Sequence, residues 1–519
     1  MFIDLHLTLT FSLNYLGKDK ADYYEHIDIM LRELLHRLND ENEYVLKSTI
    51  SALGSLSTYV PAEELVKSIE FIRNLIASMV SDARRRKGGV GDGEFLLPGF
   101  NMPKGLEPML PIYSRGILYG NSTIREVSAA GLGELISITS PKYLAGPFVI
   151  KITGPLLRIV GDRNPSAVKI SIIKTLGLIL SKGGAALRAF VPQFQTTFCK
   201  ALSDPSRQVR IEAIKALALL MPLTTRIDPL IKELVSTCLA QSDTKNLDSG
   251  SVVAVQTATL EALAVVLKFG GKQIKLPESV PSALQTGKSL LFHADEGIRE
   301  AAAKTIAAAC ELSDETTVKD LVIDLAATKY TSFEEKHGFA NYCRYIICSR
   351  ARSVLSISDM DKMSAVIENL MVDSDVSVRE AACKAVGALL GGVTASHTDA
   401  YMKNLSKTIL KCMDVKESMD VLKSIAKGLC VGVTLNADLF TNKSSLPILD
   451  AALKNSMLGQ QRVQLAFNDF LWLALDVKNG ENGLDMYCSW SMFENAKQMK
   501  SLFSNILVRI KEVDLDKVY

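Results

Sequence analysis

Histidine and tryptophan are scarce in this chain: six and two among 519 residues, with aromatics at 7%. The histidines (His6, His26, His36, His293, His337, His397) are dispersed and never take the HExxH spacing of a helix-borne zinc site. The nine cysteines are an odd number without framework spacing, scattered through apolar runs. Reduced, buried thiols and a cytoplasmic location are therefore expected. Cys343 and Cys348 lie five apart with no second pair downstream, which points to core packing and not to zinc. Charge of one sign is also missing. The 59 basic and 57 acidic residues leave a net +2, which excludes a surface built throughout for phosphate backbones. Direct DNA binding is not expected. No window offers the roughly 18 uncharged apolar residues of a bilayer span, so no membrane partner is expected. The opening MFIDLHLTLTFSLNYLGKDK carries Asp4 and lacks a basic leader and a small-residue cleavage site, unlike a signal peptide.

Catalytic signatures are equally thin. SALQTGKS (282–289) ends like a phosphate-binding loop, but Ser282 stands where the leading glycine belongs and no strand precedes it. GDG at 91–93 is too short for a dinucleotide fingerprint, and no GxSxG elbow occurs. No enzyme activity, cofactor or metal is expected.

What the chain does have is a helical period. Strand signals are nearly absent, and apolar residues recur at i, i+3, i+4 and i+7 almost throughout. LKSTISALGSLSTYV, IREVSAAGLGELISI, VKISIIKTLGLILSK, VRIEAIKALALLMPL, IREAAAKTIAAACEL and VREAACKAVGALLGG are versions of one pattern, each after a polar turn such as NPSA or DPSRQ. Between aligned basic positions, Lys47 to Arg125 is 78 residues, Arg125 to Lys169 is 44 and Lys169 to Arg210 is 41. Arg210 to Arg299 is 89 and Arg299 to Arg379 is 80, about two units each, with weaker copies near Gln256 and residue 340 filling the gaps. Two further weak copies follow near Val421 and Val463. A helix–turn–helix period near 40 predicts an all-α HEAT-repeat α-solenoid, a right-handed superhelix of stacked helix pairs. One pair cannot bury its apolar faces alone, so every unit needs neighbours. The basic residue opening each second helix faces an unfavourable helix dipole. It is expected to pair with a turn aspartate or with cap carbonyls of the adjacent unit.

The expected organisation is an atypical segment over 1–25, suggesting a truncated chain or unusual start, then HEAT repeats over 26–80. A Gly/basic loop carrying LPGF covers 81–105, HEAT repeats continue over 106–300, degenerate repeats fill 301–475 and a cap closes 476–519. A polar loop is expected at 241–251.

Four strings are more specific than the period: LPGFNMPKG (97–105), ITGPLLRIVGDR (152–163), VPQFQTTFCKALSD (191–204) and RIDPL (226–230). In this order and spacing they closely resemble the C-terminal HEAT region of the general amino-acid control activators. Members of that family are ribosome-associated and activate the kinase of eukaryotic initiation factor two alpha. The resemblance is strongest over residues 30–300 and fades beyond. It implies that this region, mainly 106–300, binds the RWD domain of the starvation kinase. It further implies that Arg125, at the start of the helix after the LPGF segment, is the charged anchor, aided by Glu126, Lys169 and Arg210. Ile124 stands where the family commonly has Gln. Ribosome contact is implied chiefly for parts of the family protein absent from this chain. The rival expectations are a transport adaptor of the importin kind and a direct ribosome or RNA binder. The first should show a ladder of Trp/Asn or acidic residues on one face, and the second a basic stripe.

Overall fold

A computed structural model describes residues 24–474, apart from 87–96, 145–146, 162, 241–248, 393–394 and 441–442. The expected cap over 476–519 lies outside the described residues. So do nearly all of the 1–25 segment, most of the 241–251 loop and the centre of the 81–105 loop. Among the described residues there is no strand, and helices joined by short turns form two units that divide between Ile227 and Asp228.

In the first unit α1 (Ile27–Arg37), α2 (Glu43–Tyr59), α3 (Ala62–Lys67) and α4 (Ile69–Arg86) come before the LPGF segment. After it come α5 (Leu110–Tyr119), α6 (Ser122–Ser137), α7 (Pro147–Ile159), α8 (Ser166–Gly183), α9 (Val191–Ala201) and α10 (Arg207–Leu220). Helices α1, α4, α6, α8 and α10 stack in one layer, and α3, α5, α7 and α9 stack in the other. Starts are set locally: the Asn121 side chain accepts a hydrogen bond from the Ile124 N–H at 2.9 Å, and Asn42 does the same for Tyr44. Each cap satisfies an otherwise orphaned donor of the first turn. Burial then fixes the layers. Leu132 of α6, Ile172 and Leu176 of α8 and Leu217 of α10 are all buried.

Two expectations fail in this unit. Ser81–Arg86, read as loop because of its charge, continues α4 as helix. Arginine is a good helix former, and the breaking glycines come only afterwards. Lys47 does not share the role of its aligned counterparts: it is exposed and pairs only with Glu43 of its own helix at 2.7 Å. The reason is that α2 packs on α1 and on the turns at Pro98–Asn101 and Glu107–Met109, while α1 takes the place beside α4. The LPGF segment is therefore structural filling. Leu97 and Phe100 are buried, the Gly99 N–H donates to the Leu38 carbonyl at 2.7 Å, and a Cβ on Gly99 would strike Leu38.

The second unit repeats the same design with α11 (Asp228–Ala240), α12 (Ser249–Gly270), α13 (Ser279–Leu290), α14 (Glu296–Cys310), α15 (Glu315–Ala327) and α16 (Phe333–Cys348). It continues with α17 (Ile357–Leu370), α18 (Val376–Gly392), α19 (Ala395–Cys412), α20 (Met419–Leu435), α21 (Leu446–Ser456) and α22 (Gln461–Ala474). The even-numbered helices α12 to α22 stack in succession. Helices α18 and α20 meet most closely, because Gly387 and Gly391 face Gly428 and Gly432 with no room for a Cβ. The phosphate-loop-like SALQTGKS lies in α13, where Thr286 and Gly287 are buried and Gly287 abuts Ile306 of α14.

Two stretches, Ser166–Ala201 and Gly250–Gln273, are long and apolar enough to cross a membrane by length and composition, but charges such as Lys174 and Glu261 interrupt both, so neither is the uncharged run that the sequence was found to lack. Their apolar residues, such as Leu260, Leu263 and Leu267, are buried against neighbouring helices. None of the eight described cysteines is in a disulfide, and Cys348, expected in the core, is exposed at the end of α16.

Candidate functional site

The recurrent basic residues occupy equivalent places on the first turns of the stacked helices, and their hydrogen bonds resolve the dipole problem. The Arg210 Nη1 donates to the carbonyls of Asp204 at 2.7 Å and Pro205 at 3.0 Å. Arg299 does the same to His293 and Ala294, both at 2.8 Å, and Arg379 to Asp373 at 2.8 Å and Ser374 at 3.1 Å. Each guanidinium thus takes two carbonyls of the turn just before its own helix, one and two residues ahead of the N-cap, and these oxygens offset the unfavourable dipole. The carbonyls belong to the residue's own unit, not to the adjacent one as the sequence suggested.

The link to the neighbouring unit runs through a side chain some 35–39 residues further on. Lys169 pairs with Asp204 at 2.7 Å, Lys336 with Asp373 at 2.8 Å and Arg379 with Glu417 at 2.8 Å. Asp204 and Asp373 are matching hubs. Each takes an ammonium on one carboxylate oxygen and a backbone N–H two residues on at the other, while its carbonyl accepts from the next arginine. Burial alone would raise the Asp373 carboxyl, but the Lys336 ammonium and the Asp375 N–H hold it below the usual range. Burial pulls the Arg210 guanidinium down. Arg299 is 1% exposed, donates from Nε to His337 Nδ1 at 3.1 Å and lies over the Phe333 ring.

Arg125 departs from this pattern. It sits half-buried on the first turn of α6. Its Nη2 donates to the Leu118 carbonyl at 3.3 Å, the longest of these carbonyl bonds. Its Nη1 reaches the adjacent unit at 2.9 Å, but the acceptor there is Asn164 Oδ1, a neutral amide where Lys169 and Arg379 meet carboxylates. Asn164 in turn donates to the Ile159 carbonyl at 2.6 Å. The Arg125 Nε is buried with no acceptor, a feature it shares with Arg379. Beside it Glu126 is half-buried and forms no ion pair among the described residues. Of the four predicted site residues, Arg125 and Glu126 are therefore adjacent and only partly engaged. Lys169 is 9% exposed with its ammonium neutralised, and Arg210 is committed to its turn carbonyls, so both serve the stack. Sequence reasoning missed Asn164; it expected a turn aspartate in the neighbouring repeat without naming one, and Asp204 and Asp373 are those residues, six positions before the next arginine in DPSRQVR and DSDVSVR. Among the described residues no group of three or more His, Cys, Asp or Glu side chains is placed to hold a metal.

Two profiles of one family, described as stalled ribosome sensor GCN1-like, HEAT repeats, match residues 7–104 and 228–456 and together cover more than half the chain. The second match extends the resemblance well past residue 300, where the sequence reading had let it fade. Protein ILITYHIA of Arabidopsis thaliana is 34% identical over 364 residues, 70% of this chain and 13% of its own length. Stalled ribosome sensor GCN1 of Homo sapiens is 34% identical over 299 residues, 57% of this chain and 10% of its own length. eIF-2-alpha kinase activator GCN1 of Saccharomyces cerevisiae is 33% identical over 261 residues, 50% of this chain and 9% of its own length. The chain thus spans about a tenth of the length of these relatives. Among solved structures, importin beta matches with a TM-score of 0.44 at 12% identity, over 96% of this chain and 67% of that one. With two matching profiles and relatives sharing a third of their residues, the chain belongs to the GCN1-like HEAT-repeat family.

Proposed function

We propose that this chain is a non-enzymatic, cytoplasmic HEAT scaffold of the amino-acid starvation response. It binds the RWD domain of the initiation factor two alpha kinase and promotes its activation. One observation carries the reading: Arg125 is a half-buried guanidinium whose partner in the next repeat is a neutral amide, where Lys169 and Arg379 meet carboxylates. Its charge is available to a carboxylate on a docking domain, with Glu126 alongside to select against acidic mispairing. Removing one partner of such a desolvated charged contact costs roughly 2–5 kcal/mol. Lys169 and Arg210 act behind this surface by holding the repeats in register. Ribosome engagement is assigned mainly to the parts of the relatives outside this chain.

The experiment is titration of the purified chain with the kinase RWD domain, comparing wild type with Arg125→Gln. Glutamine keeps a donor for Asn164 but removes the charge. Binding at least about tenfold weaker with an unchanged melting temperature is expected, since tenfold is 1.4 kcal/mol. Unchanged binding by a folded Arg125→Gln chain would remove Arg125 as the anchor, and no binding by wild type would remove the function.

A further inference from the structure

We propose that a groove in the first unit, bounded by α2, the turn at Pro103–Pro108 and α7, binds an extended acidic segment of a partner protein. The groove has a volume of about 960 Å³, at the top of the roughly 300–1,000 Å³ range of ligand pockets. Three ammonium groups line it, Lys47 of α2, Lys104 of the turn and Lys151 of α7, against one lining carboxylate, Glu107, and Glu43 beside Lys47, which leaves a positive excess. In a chain whose charges almost cancel, that is a local positive field.

The lysines are available to a ligand. Lys47 pairs with Glu43 and Lys151 with Glu107, but all four side chains are 39–65% exposed, and solvent screening leaves surface pairs of this kind weak. A ligand carboxylate can displace either. Lys104 is exposed and has no ion pair among the described residues. Its backbone has φ +64°, the left-handed region, where glycine or asparagine sits more easily. The turn is held there because Gly105 lies against the Gly99 carbonyl, where no Cβ fits. Strain of this kind is fixed by the surrounding packing, and here it holds a free cation at the rim of the groove.

The shape suits an extended chain. From Lys47 to Tyr59 the α2 wall runs about 18 Å at 1.5 Å per residue. That is the length of five or six extended residues at about 3.3 Å each. Gly54 opens the middle of this wall, since a Cβ there would meet nothing within 4 Å. Four prolines stiffen the rim, and Ser51 and Ser114 offer hydroxyls without a hydrogen bond among the described residues. Tyr59 is the one aromatic residue in the lining, so a nucleic-acid strand would lack the stacking platforms it needs. The groove takes in the N-terminal end of α5, whereas Arg125 holds the Leu118 carbonyl at the other end. The two sites are therefore separable.

The test is fluorescence anisotropy with a labelled hexaglutamate peptide, its hexaglutamine counterpart and a single-stranded RNA of equal charge. Wild-type chain and the variants Lys104→Glu, Gly54→Leu and Arg125→Gln are compared, with thermal melts as the folding control. The acidic peptide should bind at least about tenfold more tightly than the neutral one, and its affinity should fall as salt rises from about 0.02 to 0.2 M. Lys104→Glu and Gly54→Leu should each weaken it at least about tenfold without lowering the melting temperature, and Arg125→Gln should leave it intact. Equal binding of both peptides, tighter binding of the RNA, or variants that bind like wild type would each overturn the proposal. Failure of the RWD titration with success here, or the reverse, separates this groove from the Arg125 reading.

Discussion

The imidazole of His337 is placed to make the second unit lose stability as pH falls from 7 to 5. It is 3% exposed on α16, and Nδ1 accepts from the Arg299 Nε at 3.1 Å. Burial, and then the facing Arg299 guanidinium, pull its pKa down to about 4, with Lys384 adding to the same effect and Glu296, 3.4 Å from Nε2, opposing it. In the unfolded chain histidine titrates near 6.5. A depressed folded pKa contributes stability above about pH 6.5 and loses it as pH falls towards about 4, because the unfolded state binds the proton first. Between pH 7 and pH 5 the loss works out at about 2 kcal/mol. Trp472 lies on α22, so urea unfolding followed by its fluorescence in a Trp490→Phe background reports on the second unit. Measured at pH 7, 6 and 5, wild type should show that loss. His337→Gln, which keeps an acceptor for Arg299, should be nearly flat. A glutamine variant that loses as much stability as wild type over this range would refute the assignment.

Glycine substitutions should split by position. Gly387→Ala drives a Cβ into the Gly428 carbonyl and should cost about 3 kcal/mol or more, as overpacking against backbone does. Gly54→Ala, in open space within α2, should raise stability by roughly 0.5–1 kcal/mol, and thermal melts distinguish the two. Asp204→Ala strips the partner from Lys169, whose side chain is 11% exposed, and should cost about 3–5 kcal/mol. Adding Lys169→Met should recover part of that loss in a double-mutant cycle. No recovery would mean the pair is not coupled.

The period near 40 residues was legible because each repeat must present the same apolar stripe to the same kind of neighbour. The aligned VKISIIKTLGLIL and VRIEAIKALALLM mark α8 and α10 without any structure. The family was legible too, through strings such as ITGPLLRIVGDR that helical packing alone does not require. The basic residues were visible as a series but not as individuals. Lys47 matches Arg125 in pattern, yet the packing of α2 on the LPGF turns leaves it outside the stack. Arg125 and Lys169 match as well, yet one faces an amide and the other a carboxylate across the layer.

Local sequence therefore determined the helices, their caps and the need to stack, because periodicity, capping and turn chemistry act over a few residues. Tertiary structure decided which charges are spent and which remain. The partner of each rung lies 35–39 residues away in the next repeat, and only packing brings Asp204 to Lys169 and Asn164 to Arg125. The same holds for the lysine groove, whose three cations come from α2, a strained turn and α7 and meet only because the layers place them side by side.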